Sequence, residues 1–205
     1  MTLRLAVLLS GGGRTLLNLL DHIEDGRLDA EIPLVISSRR TARGIERAAA
    51  RGLEVEVLRP RDFADTESFA AAQAVRLRQA RVDLVIMAGY LVFFPVPADL
   101  EGRVLNIHPS LLPRHGGQGM FGDRVHRAVL AASDEVSGCT VHVVDNEYDH
   151  GPVLRATTVP VLPDDDVDSL AARVFEAECR TYPQAITDYA ARLGPGAASR
   201  GEAGA

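Results

Sequence analysis

The chain has 205 residues, 46% of them hydrophobic and 24% charged, with a formal net charge of −6. That is enough for one domain with its own core, and an acidic total with no basic run excludes a general nucleic-acid binder. All 22 basic residues are arginine, which excludes both a Schiff-base lysine and the lysine of a P-loop.

"LRLAVLLS" reads as the first strand; its apolar centre, "LAVLL", is too short for a secretory signal. "TLLNLLDHIEDG" follows as a helix closed by Gly26, then "EIPLVISS" as a strand and "RGIERAAARG" as a helix. "LEVEVLRP" is a third strand and "DTESFAAAQAVRLRQA" a long helix. "VDLVIMAG" and "RVLNIHP" are nearly all apolar, as expected of central strands buried on both faces. The longest uncharged run, "LVIMAGYLVFFPVP", is too short to span a bilayer. Past Pro113 lies a Gly-rich loop, "RHGGQGMFGD", then a helix "RVHRAVLAAS", two strands "GCTVHVVDNE" and "PVLRATTVPV", and a long closing helix with a kink expected at Pro183. Cys139 and Cys179 form no C-x-x-C pattern and are expected to be reduced thiols in a cytoplasmic protein. The alternation predicts an α/β fold, a Rossmann-like, mostly parallel sheet with helices on both faces. It is expected to fill one domain over residues 1–192, with 193–205 a disordered tail.

Three stretches carry chemistry. In "NIHPSLLP", Asn106 and His108 stand two apart on a strand and so share a face, and Pro109 ends the ladder. An amide beside an imidazole suits the grip of a developing oxyanion; the plain alternative is a capped strand with a surface histidine. In "SGGGRTLLNLL", a strand, three glycines and a helix start can cradle a single phosphate on Gly12, Gly13, Arg14 and Thr15, or can be only a tight turn. Leu16 stands where the dinucleotide fingerprint needs glycine and no acidic residue ends the second strand, so NAD is disfavoured. In "TVHVVDNEYDHGPV", Asp149 sits in a turn after a strand carrying His142. It is either a turn residue or a carboxylate that favours the charged form of His108 and relays a proton. All three stretches can reach the carboxyl edge of the sheet, where open α/β folds bind ligands.

"NIHPSLLP", with "SGGGRT" upstream and "DHGPV" downstream, resembles the folate-dependent formyltransferase family over residues 3–190, and most of all its glycinamide-ribonucleotide branch in purine synthesis. The resemblance implies transfer of a formyl group from 10-formyltetrahydrofolate, as co-substrate, to the amine of glycinamide ribonucleotide, without a metal or a covalent enzyme intermediate. It implies Asn106, His108 and Asp149 as catalytic residues, with Gly13, Arg14 and Thr15 on the substrate phosphate. Glu178 would contact the glycinamide substrate, and Leu91, Val92, Phe93 and Phe94, beside Asn106, would line the pterin pocket. The partners implied are small molecules, with no nucleic acid and no membrane; the oligomeric state is left open.

Four features depart from the family pattern. Arg14 and Thr15 replace a Ser-Asn pair, Val92 an arginine and Cys179 a histidine, and the loop over residues 114–125 is longer than the usual connection to His126. Formyltetrahydrofolate hydrolase, and a formyltransferase acting on an amino-sugar nucleotide or tRNA, are the rivals within the superfamily. A phosphate-binding module without catalysis is the rival outside it.

Overall fold

The computed structural model describes residues 2–193. The expected tail lies outside the described residues, apart from Leu193, which ends the last helix.

Among the described residues, seven strands form one sheet: β1 (Leu3–Leu9), β2 (Ala30–Ser37), β3 (Val55–Val57), β4 (Leu84–Met87), β5 (Val104–His108), β6 (Val136–Val143) and β7 (Val153–Pro160). They lie in the order β3-β2-β1-β4-β5-β6-β7. The first five are parallel, while β6 and β7 run antiparallel to their neighbours. The helices are α1 (Arg14–Glu24), α2 (Arg43–Ala49), α3 (Thr66–Gln79), α4 (Asp123–Ala131) and α5 (Val167–Leu193). The α/β architecture expected from the sequence is therefore present, with β3 shortened to three residues at the sheet edge. The charged and proline residues around it leave only Val55–Val57 with a suitable partner, β2.

Strand β1 shows why the central strands are apolar throughout. Leu5, Val7 and Leu9 enter one buried cluster with Leu16 and Leu19 of α1 and Val174 and Tyr182 of α5. Ala6 and Leu8 enter the other, with Leu77 of α3, Val85 and Phe94. Alternate side chains thus face opposite layers, both dry.

Helix α5 runs through Pro183. Proline has no N–H, so the carbonyl of Cys179, four residues back, lacks its helical donor. Asn18 of α1 donates its Nδ2–H to that carbonyl at 2.9 Å. The helix is tied across to α1 where the proline opens its own ladder.

The strand order reverses between β1 and β4, whose carboxyl ends open on a common edge, the usual place for a ligand crevice.

Candidate active site

Strand β5 pairs with β6 so that Asn106 lies opposite His142 and His108 opposite Thr140, which puts all four on one face. His142 is buried, and its Nδ1–H donates to the Val143 carbonyl at 3.1 Å. Its Nε2 is then a lone pair, which accepts from Asn106 Nδ2 at 3.1 Å. Burial lowers the pKa of His142, so the ring stays neutral and keeps this acceptor. The Asn106 amide is thereby oriented, with one N–H committed and the other available to a ligand.

His108 is 3% exposed, and its Nε2–H donates to the backbone carbonyl of His115 at 2.9 Å. That bond turns Nδ1 toward Asp149, whose Oδ2 is 3.4 Å away. Asp149 has φ 53°, the left-handed region that Asp and Asn tolerate better than most residues. Its Oδ2 also accepts from the Gly117 N–H at 2.9 Å, and its Oδ1 lies 3.8 Å from His142 Nε2. Asn106, His108, Asp149 and His142 gather in one polar cluster at the carboxyl end of β5.

The cluster opens on a cleft of about 370 Å³ whose lining includes Asn106, His108, His142 and Asp149. Leu91, Val92, Phe93 and Phe94 form part of its apolar wall. That wall is pinned from two sides. Ser10, at the end of β1, accepts the Leu91 N–H at 2.9 Å and bonds Ser38 at 2.6 Å, and the Val96 N–H donates to Asn146 at 2.9 Å. Phe93 packs on Tyr148 with ring centroids 5.2 Å apart, while Phe94 is anchored in the core. From the long loop, Gly117, Gly119, Met120, Phe121 and Gly122 reach the same cleft.

Arg14, Thr15, Phe175 and Glu178 also line the cleft. Helix α1 starts with no side-chain cap and no acidic residue in its first turn, which leaves its amino end positive. Arg14 stacks its guanidinium over the Phe175 ring at 3.6 Å from the centroid. Gly12 and Gly13 form the turn leading into these residues. A Cβ on Gly13 would meet the Gly44 Cα at 2.6 Å, and φ there is +70°. Gly12 presents its carbonyl to Arg47 at 2.8 Å. The glycines thus have a packing role, the seating of α1 against α2, whatever ligand the loop receives.

Glu178 makes no hydrogen bond or ion pair among the described residues. Burial pushes its carboxyl from the usual 4.5 up to about 7, with the Arg14 charge pulling the other way. The folded form therefore binds a proton more tightly than the unfolded chain does, and stability falls as pH rises from about 4.5 through about 7. Glu178→Gln has no proton to lose. It should melt with the parent at pH values below 4.5 and above the parent's temperature once pH exceeds 7. Equal melting temperatures across that range, read by calorimetry, would show that the carboxyl is not strained by burial.

Residues 3–186 match the family described as formyl transferase. The chain belongs to the formyl transferase family. Phosphoribosylglycinamide formyltransferase of Haemophilus influenzae is 33% identical over 185 residues, covering 89% of this chain and 85% of that protein. The trifunctional purine biosynthetic protein adenosine-3 of Drosophila melanogaster is 40% identical over 187 residues, and there the chain spans only 14% of the relative's length. Among solved structures, phosphoribosylglycinamide formyltransferase from Brucella melitensis superposes with a TM-score of 0.85 at 37% identity, covering 93% of this chain and 97% of that one.

In this formyl transferase, the residues singled out by the sequence gather at one cleft, save Gly12 and Gly13, which shape the loop instead. Sequence reasoning gave no role to His142, to the His115 carbonyl, to Ser10 or to Phe175. The first had a readable signal: His142 alternates with Thr140 on an apolar strand, a buried polar pair that calls for partners. The His115 carbonyl had none, because a backbone group carries no residue-type signal.

Proposed function

We propose that this formyl transferase moves a formyl group from 10-formyltetrahydrofolate to the amine of glycinamide ribonucleotide. The observation that carries this reading is the Asn106–His108–Asp149 cluster at the mouth of an apolar-walled cleft that also reaches the α1 amino end. The likeness to phosphoribosylglycinamide formyltransferases over most of both chains supports it.

Each part of the cleft has a task. The wall at Leu91–Phe94 gives an apolar face suited to the pterin, with the formyl group toward Asn106 and His108. Arg14, Thr15 and the free N–H groups of the first α1 turn hold the ribonucleotide phosphate. The amine attacks the formyl carbon and the carbonyl oxygen takes up negative charge. The free Asn106 N–H and a proton on His108 Nδ1 stabilise that oxygen. Asp149 Oδ2, 3.4 Å from Nδ1, places a carboxylate beside that proton. The attacking nitrogen sheds a proton through Asp149 and water, the bond to the folate nitrogen breaks, and that nitrogen is protonated as it leaves. Glu178, near the phosphate residues, contacts the glycinamide portion.

Purified protein given both substrates should release formyl-free folate only when the ribonucleotide amine is present. Equal release without the amine would identify a hydrolase, and release with a different amine in its place would change the acceptor. Arg14→Ala should raise the KM for glycinamide ribonucleotide about 10-fold or more, the scale of a lost charge-assisted contact, with the folate KM unchanged. Gly13→Val is a different experiment: its clash with Gly44 backbone should lower thermal stability and weaken both substrates together.

A further inference from the structure

His115 is a residue whose side chain and backbone face different tasks. Its carbonyl receives the Nε2–H of His108 at 2.9 Å. Its own Nε2 bonds Asp134 Oδ2 at 2.7 Å, and Arg114 bonds the other oxygen of Asp134 at 2.5 Å. Asp134 lies just past α4 and is fastened to it, its N–H donating to the Val129 carbonyl. His115 holds φ 54°, in the left-handed region that residues other than glycine seldom adopt, although glycines follow at 116 and 117. A glycine would take that turn at no cost, so a non-glycine residue there calls for another reason.

We infer that Asp134 and His115 form a clasp that positions the catalytic His108. Asp134 grips the His115 side chain, which fixes the left-handed turn and aims the carbonyl at His108 Nε2. The carbonyl in turn assigns the tautomer of His108, keeps its proton on Nε2 in the neutral state, and presents Nδ1 to Asp149 and the cleft. The same arrangement orients metal-binding histidines through an outer acceptor, and loss of such a partner typically costs 10–100-fold.

Exposure separates the clasp from the neighbouring ion pair. The side chains of Asp134 and His115 are 9% and 15% exposed, while that of Arg114 is 65% exposed. The hydrogen bond from His115 is also the leading reason that the Asp134 carboxyl lies below its usual range. Arg114 is therefore an outer contact that the clasp does not need.

The inference rests on reading His108 as catalytic, and the test keeps the two apart. His115→Ala and Asp134→Ala should each lower kcat about 10-fold or more with both KM values nearly unchanged, since the cleft walls are left alone. His115→Gln, whose amide N–H can still reach Asp134, should recover most of the loss, and Arg114→Gln should behave as wild type. Nitrogen-15 spectra of His108 should show the Nε2–H tautomer in the parent and a mixture of tautomers in the two alanine variants. Wild-type kcat in stably folded alanine variants, or a His108 tautomer unchanged in them, would overturn the clasp. The spectra decide this even if the parent turns over neither proposed substrate, an outcome that would overturn the functional reading alone.

Discussion

His108→Ala is expected to lower kcat about 10³-fold or more while both KM values stay within a few-fold. Loss of one oxyanion donor costs about 10²–10³ and loss of general acid–base help about 10²–10⁴, and groups acting as one unit do not add fully. Binding should survive because the wall at Leu91–Phe94 and the phosphate residues are held by other contacts, among them Ser10 to Leu91 and Arg14 on Phe175. The fold should survive as well: the His115 carbonyl loses one partner, a cost of about 1–3 kcal/mol if water does not replace it. Steady-state kinetics on both substrates, with a melting curve alongside, make the measurement. A variant that keeps half of the parent turnover would remove His108 from the chemistry.

The strand face that makes this expectation possible was legible from the sequence. Asn106 and His108 are two apart in an apolar run ended by proline, and period-two alternation alone puts them together. The central strands were legible for the same reason, since burial on both faces leaves no polar position to break the pattern. Asp149 was legible only as a choice between turn and carboxylate. In the structure it holds φ 53° in a turn while its two oxygens face His108, His142 and the Gly117 N–H. What the sequence hid were contacts across long separations and through backbone atoms. The pairing of His142 with Asn106 depends on the antiparallel register of β6, which residue types do not declare. The close approach of Gly13 to Gly44 joins the start of α1 to the first turn of α2, 31 residues on, so a triple glycine that reads as a phosphate cradle also marks a helix–helix seat. Pro183 reads as a kink, and the donor that lets α5 run through it, Asn18, is on another helix.

Asp149→Asn isolates charge from geometry better than any other change at the site. Asparagine tolerates the left-handed backbone that Asp149 adopts, so φ 53° remains accessible, whereas alanine would add strain. Its side-chain oxygen can still accept the Gly117 N–H, now 2.9 Å from Asp149 Oδ2, so the long loop keeps its tether. What disappears is the negative charge 3.4 Å from His108 Nδ1, together with the second acceptor oxygen. An amide brings no charge to Nδ1 and takes no proton from the attacking nitrogen. Loss of that nearby charge weakens the electrostatic stabilisation of the site. The lost proton relay raises the expected fall in kcat to about 100-fold or more. Thermal stability should change little. If Asp149 is only a turn residue, the variant keeps both its melting temperature and its turnover, and the cluster loses its carboxylate. If turnover falls but so does the melting temperature, by as much as in Asp149→Ala, the loop tether and not the charge is what the site needs. A fall in kcat at constant melting temperature, with KM for both substrates held, is the outcome that assigns the charge its role.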